Sequence, residues 1–479
     1  DLSIRGCSFQ QVLITIDGIP FMDHQTAHHN MDLPFPASAL EQITISPGVG
    51  TAPAGPAAFG GTIDMTTRVP SKSGSSVKFS YGDFDTRNIA ACLDFVTNGI
   101  STTISSMRSS SDGFSDGIDY TVWSAWGSVR AENDIAGLRI SAGYTDKDFG
   151  AQDFYGSYPS RELTSVTLLD LAPEMLINQT WKIKSAFRYR RHEDEFILKR
   201  DDPDYYRNLH TSEDHTERVA LNVPDMSWGN IETGAERIDS MLESSNIGDR
   251  KEHTSSMFIQ HNYVRKKSWS VNTGLRIDKH SRWGTETTPS FSGSFNIFEA
   301  FRLRGGCGRA IRPPSFTELY YSDPANEGNS NLIPEEAIEI EGGLDLNFGE
   351  NYLCSATYFN RDVEDMIDWT RESKGDPWQA SNTGRIRFRG TELTLSGKTG
   401  VLKWKTSYQH INADENSPGY ESKYALIFAE DNIVMGMECE ITGGISAGAD
   451  VRYRDLNGLN DHTLAGIMLS WQKNGISIF

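Results

Sequence analysis

The stretch GLRISAGY, residues 137–144, alternates apolar residues with small, polar or charged ones. In an extended chain one face would carry Leu138, Ile140, Ala142 and Tyr144, and the other Gly137, Arg139, Ser141 and Gly143. Successive side chains of a β-strand point to opposite sides, so this pattern predicts a strand with one apolar face. The same period of two recurs in residues 269–277, 291–297, 352–358 and 402–408.

The connections between these segments alternate in length along the chain. Short turns are VTNG (96–99), END (132–134), RKKS (265–268) and KTGV (398–401), and long loops are 109–120, 147–162 and 313–335. A transmembrane barrel has short turns at one end and long loops at the other, with its apolar face toward lipid. A soluble sandwich or propeller is the alternative, because alternation alone does not distinguish a protein core from lipid. The loop pattern favours an all-β transmembrane barrel.

Composition agrees with strands and argues against several other classes. The chain has 479 residues, of which 37% are hydrophobic, with 43 Gly and 50 aromatic residues (23 Phe, 17 Tyr and 10 Trp). No window approaches the roughly 18 consecutive apolar residues of a membrane-spanning helix. The formal net charge of -20 argues against a nucleic-acid partner, which would require a basic face. Five scattered cysteines, with no CxxC pair, are interpreted as packing residues.

The chain changes character near Val69 and Pro70, where irregular spacing gives way to regular alternation. Counting segments predicts about 22 antiparallel strands, with the last part missing after GISIF. A barrel this wide needs a plug. We therefore expect a partial N-terminal plug domain over residues 1–69, inside a barrel formed by residues 70–479. Because there is no initiator Met, we also expect a trimmed or partial chain.

Five N-terminal motifs occur in a recognisable order: LSIRG (2–6), VLITIDGIP (12–20), HHNMDLP (28–34), LEQITISPG (40–48) and AFGGTIDMTTR (58–68). They resemble the plug of TonB-dependent outer-membrane receptors, with one departure, since Asp64 stands where the family typically has Asn. In the barrel, IRPPSFTELYY (311–321), NSNLIPEEAIEIEGG (329–343), YFNRDVEDMIDW (358–369) and RGTEL (389–393) resemble further family motifs.

Within the family, the chain is most similar to cobalamin receptors of Bacteroidetes, on residues 23–34, 189–208 and 360–369. The resemblance implies an active transporter in the outer membrane of a Gram-negative bacterium. It implies coupling to TonB with ExbB-ExbD, a surface lipoprotein as a further partner, and a TonB box upstream of the matched region. The family also contains siderophore and haem receptors, which are the alternatives, and a passive outer-membrane binding barrel is the alternative of another class.

The histidine-rich segment of the plug is the first candidate site. His24 and His28 are four residues apart and His29 follows, so a metal centre is one interpretation. The flanking Gly18, Pro20, Pro34 and Pro36 instead favour a ligand-contacting loop. A large corrinoid or chelate needs aromatic and amide contacts. The candidate ligand-binding residues at the plug apex are Phe21, His24, Gln25, His28, His29 and Asn30.

Acidic loops are the second candidate site. The candidate calcium ligands are Asp112, Asp116, Asp146, Asp148 and Asp153. Closely spaced carboxylates repel one another unless a hard cation such as calcium joins them, and cobalamin receptors of this family use calcium in comparable loops. A solvated acidic loop without a cation is the alternative.

Catalysis has no support in the sequence. GxSxG, P-loop and dinucleotide-binding motifs are absent. We therefore expect no enzyme and no catalytic cofactor. An outer-membrane hydrolase is the enzyme alternative, and it would require a Ser/His/Asp cluster facing the lumen.

Overall fold

The computed structural model describes residues 2–48, 55, 58–154, 156–178, 180–265, 268–415, 419–424, 426–457 and 460–479. Residues 266 and 267 of the predicted RKKS turn lie outside the described residues. In the described ranges, no helix is both long enough and apolar enough to cross a membrane.

The N-terminal segment forms a small mixed sheet. Its strands are β1 (Val12–Ile16), β2 (Ile19–Pro20), β3 (Leu40–Pro47) and β4 (Gly61–Thr67), in the order β2-β1-β4-β3. Strand β1 pairs in parallel with β4 and is buried along its whole length. The sequence VLITI is accordingly apolar at four of its five positions, as expected for a strand covered on both faces. Three short 3-10 helices accompany the sheet: Phe9–Gln11, Ala27–Met31 and Ala37–Ala39.

The remaining strands follow from residue 74. They are β5 (Gly74–Gly82), β6 (Thr86–Thr97), β7 (Ile100–Ser111), β8 (Tyr120–Glu132), β9 (Ala136–Gly150), β10 (Arg161–Ile177), β11 (Trp181–Ile197), β12 (Arg207–Met226), β13 (Gly229–Ser244), β14 (Arg250–Arg265), β15 (Trp269–His280), β16 (Gly284–Phe298), β17 (Phe301–Arg312), β18 (Asn326–Glu327), β19 (Glu335–Phe348), β20 (Tyr352–Glu364), β21 (Ile367–Arg371), β22 (Trp378–Asn382), β23 (Ile386–Thr399), β24 (Leu402–Glu415), β25 (Glu421–Ser422), β26 (Ala429–Thr442), β27 (Ile445–Leu456), β28 (His462–Lys473) and β29 (Ile476–Ile478). One short helix, α1 (Phe316–Tyr320), lies between β17 and β18.

Twenty-one of these strands form one closed barrel in the described residues. Strands β18, β21, β22 and β25 instead form a small sheet within the long loops. The predicted barrel of about 22 strands, with a plug at its N-terminus, is therefore confirmed as a fold class. Strand β4 ends at Thr67 and β5 begins at Gly74, on either side of residue 69.

The predicted alternation and loop lengths are both present. In β9, Leu138, Ile140 and Ala142 are exposed on the outer face, whereas Ser141 and Gly143 are buried toward the lumen. At one end of the barrel the strands are joined by two or three residues, as at 98–99, 133–135, 349–351, 443–444 and 474–475. The longer loops 112–119, 151–160, 198–206, 313–334 and 365–385 all lie at the other end. By the rule for outer-membrane barrels, that end is extracellular.

The plug fills the lumen with an apolar core shared between the two parts. Val12, Ile14 and Phe35 of the plug pack in one cluster with Trp126 and Leu168 of the wall. Burying one such side chain contributes roughly 1.5–3 kcal/mol. The plug is therefore a packed part of the fold.

Gly143 of β9 marks a close approach of plug and wall, and replacing it tests this packing. A methyl group there would overlap the carbonyl oxygen of Pro34 and the ring of Trp126. Because overpacking typically costs about 1–3 kcal/mol, we expect Gly143→Ala to lower the thermal midpoint followed by circular dichroism. Gly127→Ala on the adjacent strand is the matched control, since a methyl there meets nothing within 4 Å. Equal midpoints for both variants would contradict the close packing.

Candidate functional site at the plug apex

Strand β11 carries polar side chains that meet the plug. Its buried lumen-facing residues are Arg188, Arg190, His192 and Asp194. The Arg188 guanidinium binds both oxygens of Asp170 at 2.7 Å and donates to the carbonyl oxygens of Ile16 and Ile19 at 3.1 Å. Ile16 and Ile19 flank a tight turn at Asp17 and Gly18, both of which have positive φ. The wall thus binds the main chain of the plug through a guanidinium already paired with a carboxylate.

Asp23 organises the apex loop, which we define as residues 21–34. Its Oδ1 accepts hydrogen bonds from the backbone N–H groups of Gln25 and Thr26, at 2.8 and 3.3 Å. Its Oδ2 binds Arg190 at 2.7 Å and Ser212 at 3.0 Å. Burial raises the pKa of Asp23, but Arg190 and the nearby histidines outweigh burial and hold that pKa well below its usual value. Asp23 is therefore an anion that joins the loop to the wall.

The predicted apex residues divide into buried and accessible groups. Phe21, Gln25 and Asn30 are at most 3% exposed, and the Asn30 side-chain oxygen accepts from the Asp23 backbone N–H at 2.8 Å. His29 is also buried. His24 and His28 are partly exposed. Only the latter two of the six residues therefore reach accessible space, and the ligand-binding role of the set stays a prediction.

His28 lies in an aromatic group drawn from separate segments. Its ring centroid is 4.1 Å from that of Phe9, 5.8 Å from that of Tyr424 and 6.1 Å from that of Phe154. Burial, followed by the charge of His29, lowers the pKa of His28 to about 3. At neutral pH the imidazole is therefore uncharged. Phe154 belongs to an extracellular loop and is 59% exposed, so this aromatic group forms part of the floor beneath the loops.

Helix α1 binds the apex loop from the extracellular side. The N–H groups of Phe316 and Thr317 donate to the carbonyl oxygens of His24 and Gln25, at 2.9 and 3.0 Å. Ser315 caps the helix, with Glu318 completing a capping box. The first N–H groups of a helix have no partner within the helix. Here two of them are satisfied by carbonyl groups of the apex loop.

A buried ionic network holds this helix in place. Arg312 binds Glu318 at 2.9 and 3.2 Å and Glu335 at 2.5 Å. Glu335 also accepts from Gln11 of the plug at 2.9 Å and from the backbone N–H of Ile367 at 2.8 Å. The motifs IRPPSFTELYY and NLIPEE are therefore adjacent in space, and together they connect an extracellular loop to the plug.

A second network lies around Arg5 of the plug. Its guanidinium binds Glu339 at 3.0 Å, Glu341 at 2.7 Å and both oxygens of Glu392, at 3.0 and 2.8 Å. Arg361 of the wall binds Glu339 and donates to the Arg5 carbonyl oxygen at 3.1 Å and to Cys7 Sγ at 2.7 Å. Removing one partner of a buried ion pair typically costs about 3–5 kcal/mol, so these contacts resist withdrawal of the plug.

The five predicted calcium ligands do not come together. Strand β9 extends to Gly150, so Asp146 and Asp148 lie in a strand, which corrects their predicted placement in a loop. Lys147, which lies between them in the strand, points into the lumen and donates to Asp32 of the plug. Because side chains alternate along a strand, Asp146 and Asp148 lie on the outer face. Asp148 is paired with Arg161. The remaining predicted ligands, Asp112, Asp116 and Asp153, are exposed in two loops.

Two overlapping groups of metal-ligand type occur in the described part of the chain. One consists of His29, Asp32 and His192, and the other of His29, Glu162 and Asp194. All five residues are buried. In each group one ligand atom per residue lies within 4.8 Å of the others. Sequence reasoning identified His29 but missed its partners on β10 and β11.

His24 has a serine and an aspartate as neighbours. Ser240 Oγ lies 3.2 Å and Asp214 Oδ1 lies 2.9 Å from the same ring nitrogen, Nδ1. A catalytic triad instead places the serine on one nitrogen and the carboxylate on the other. This cluster therefore has the composition but lacks the geometry of the triad that the hydrolase alternative requires.

The pKa of the Cys7 thiol depends on whether the plug is packed against the wall. Burial raises that pKa to about 12, an effect that exceeds the opposing influence of Arg361. Because the folded pKa is raised, the group's contribution to stability is complete below the pKa of an unfolded thiol, about 8.5, and is lost as the pH rises toward 12.

We expect Cys7 in the folded protein to resist iodoacetamide equally at pH 7 and pH 9, whereas labelling of an unfolded thiol rises more than about tenfold over that range. Peptide mass spectrometry of folded and urea-unfolded protein measures both rates. A labelling rate of folded Cys7 that rises with pH as in the unfolded chain would show that the plug is open.

Comparison with known proteins agrees with this architecture. The family model described as TonB dependent receptor-like, beta-barrel, matches residues 93–477, and the TonB-dependent Receptor Plug Domain model matches residues 1–62.

The chain is 23% identical over 458 residues to the vitamin B12 transporter BtuB of Photobacterium profundum, covering 87% of this chain and 69% of the relative. It is 22% identical over 524 residues to the iron-regulated outer membrane virulence protein of Vibrio cholerae, covering 95% and 76%. The crystal structure of the siderophore receptor PirA from Acinetobacter baumannii superimposes with a TM-score of 0.81 at 16% identity, over 98% of this chain and 85% of that one. The chain therefore belongs to the TonB-dependent receptors, which are transporters of the bacterial outer membrane.

Proposed function

We propose that this receptor imports cobalamin. Two observations support the proposal. The chain is similar to the vitamin B12 transporters of Photobacterium profundum and Vibrio vulnificus, and an aromatic group lies beneath its extracellular loops. The observation that carries it is the uncharged aromatic group of Phe9, His28, Phe154 and Tyr424. A ferric siderophore or haem is the rival ligand, favoured by the similarity to an iron-regulated outer membrane protein.

The aromatic floor suits a large, flat and largely uncharged ligand. Large ligands bind in concave sites lined mainly by apolar and aromatic side chains, with a few polar groups to orient them. Phe154 is an exposed ring of this group, and the partly exposed His24 and His28 both belong to the apex loop. Because the pKa of His28 is lowered to about 3, its ring binds as a neutral aromatic group at the pH of growth.

The extracellular loops favour a neutral ligand over an anionic one. Loop 112–119 carries three aspartates and loop 198–206 carries three more, against one lysine and one arginine. Ferric catecholates are anions, and like charge at a binding surface slows association and costs affinity. The same loops and loop 151–160 expose aromatic side chains at Phe114, Phe154, Tyr158 and Tyr205. Together these features are better matched to a corrinoid.

Ligand binding would reach the plug through α1. A ligand resting on His28 lies next to the segment whose carbonyl groups accept hydrogen bonds from α1. Moving that segment would disturb the Arg312–Glu318–Glu335 network and, through Gln11, the plug itself. Energy for displacing the plug would come from TonB with ExbB-ExbD, and a surface lipoprotein would assist capture of the ligand.

Equilibrium binding to the full chain in detergent tests the ligand directly. We expect tight, saturable binding of cyanocobalamin by calorimetry and weaker binding of haem and of a ferric catecholate. Repeating the titration with a calcium chelator tests the proposal that calcium binds at the exposed loop residues Asp112, Asp116 and Asp153. Tight binding of the catecholate in place of cobalamin would assign the receptor to iron.

Variants of the floor test the site. Phe154→Ala should weaken cobalamin binding by about tenfold, because an aromatic contact contributes about 0.5–1.5 kcal/mol beyond burial. Phe348→Ala is the matched control, since that exposed side chain lies at the short-turn end of the barrel. Unchanged affinity in Phe154→Ala would place the ligand elsewhere.

Uptake separates transport from passive binding. Cells that express the receptor should bind labelled cobalamin whether or not they contain TonB, and should accumulate it only when TonB is present. Accumulation that does not depend on TonB would contradict an actively coupled receptor and favour a passive barrel.

A further inference from the structure

Two imidazole rings, one from the plug and one from the wall, meet in the buried interior. The ring centroids of His29 and His192 are 4.5 Å apart. Their relative exposures are 6% and 0%. His29 belongs to a 3-10 helix of the apex loop and His192 belongs to β11. The cobalamin proposal uses neither ring.

Asp32 supplies a carboxylate between the two rings. Its Oδ2 lies 2.9 Å from His192 Nε2 and 3.5 Å from His29 Nδ1. Its other oxygen accepts from Lys147 Nζ at 2.6 Å. One nitrogen of each ring and one oxygen of the carboxylate therefore converge, which is the donor set of two histidines and one carboxylate that binds zinc in many proteins.

The outward nitrogen of each ring faces a further carboxylate. His29 Nε2 lies 3.6 Å from Asp194 and 3.9 Å from Glu162, and His192 Nδ1 lies 3.5 Å from Asp23. A metal-binding histidine almost always donates its other N–H to a carboxylate, carbonyl or water, which fixes the tautomer and orients the ring. Here Asp194 lies 3.6 Å from the outward nitrogen of His29, and Asp23 lies 3.5 Å from that of His192 without a hydrogen bond to it. In each ring the other nitrogen faces Asp32.

The protein atoms alone leave this cluster incompletely satisfied. Within the described ranges, His192 Nδ1, Asp194 Oδ1 and His210 Nδ1 are buried without a hydrogen-bond partner. Four buried carboxyl groups lie around the two rings: Asp23, Asp32, Glu162 and Asp194. Metal binding requires neutral rings, so a divalent cation would displace the proton that gives His29 its charge and take its place among these groups.

We propose that His29 Nδ1, His192 Nε2 and Asp32 Oδ2 bind a zinc ion that links the plug to β11. Mixed nitrogen and oxygen donors select a borderline transition-metal dication over calcium or magnesium, which take oxygen ligands. The site is thus separate from the acidic loops. Because two ligands come from the plug and one from the wall, the ion would stabilise the closed receptor, whichever nutrient it transports.

Zinc binding by the tag-free full chain in detergent tests the proposal. After treatment with a chelator and dialysis, the protein should bind one equivalent of zinc, measured by elemental analysis and by competition with a zinc dye. His192→Gln should weaken binding by more than about 100-fold, since loss of even an outer-shell partner costs about 10–100-fold. His253→Gln is the matched control, because that side chain is exposed on β14. Equal affinity in the wild type and His192→Gln, or no binding by the wild type, would overturn the site.

A second variant covers the case in which His192→Gln does not fold, which heat-modifiable migration on a gel would reveal. Asp194→Asn keeps all three ligands and alters the carboxylate behind His29 Nε2, so affinity should fall by about 10–100-fold. Zinc-edge X-ray absorption should show two imidazole ligands with bonds of about 2.0–2.1 Å. A spectrum without imidazole ligands, or unchanged affinity in Asp194→Asn, would contradict the assignment. Either result would leave the cobalamin titration unaffected.

Discussion

The structure depends on charge neutralisation between the plug and the barrel wall. Both parts bury charged groups at their common surface, and a charge in such a place is tolerated only when it is paired. Arg5 meets Glu339 and Glu392, Asp23 meets Arg190, and Arg188 meets the main chain of the plug. Neither part can leave the other without exposing these groups to water or leaving them unpaired.

This constraint suits a gate that must stay closed until work is done on it. An apolar plug alone would be held by non-directional burial, whereas paired charges also fix its orientation and register. Breaking several pairs together is too costly to happen often by thermal motion, which agrees with a receptor that depends on an external energy source. The α1 contact adds a route by which the extracellular side can influence the same set of interactions.

Sequence and structure agree best where a pattern has a local cause. Alternation along β9 and the segregation of loop lengths follow from the pleat and from the two different environments at the barrel ends, so both were predictable. The position of the plug followed from ordered motifs such as LSIRG. Asp146 and Asp148 were misplaced because strands of this barrel continue beyond the membrane as polar segments, and polarity alone does not mark the end of such a strand.

The candidate site was less predictable, because its parts are far apart in the chain. His29 meets His192 more than 160 positions away, and no local spacing reveals that contact. A signal was present in β11, where the run RYRRHEDE (188–195) is polar on both faces and so departs from the apolar alternation of the other strands, although a strand end exposed to solvent would give the same pattern. Register between plug and wall, which only the folded chain provides, decides which of these residues meet.

A double-mutant cycle on Arg5 and Glu392 measures whether paired buried charges keep the plug closed. Amide hydrogen exchange of β1, measured on the full chain in detergent, reports plug opening. If the two residues act as a pair, Arg5→Met and Glu392→Gln will each lower the free energy of plug opening and so accelerate exchange. The double variant will then lower that free energy by less than the sum of the two single effects. Strictly additive effects, or exchange rates equal to those of the wild type, would show that this ion pair does not hold the plug closed.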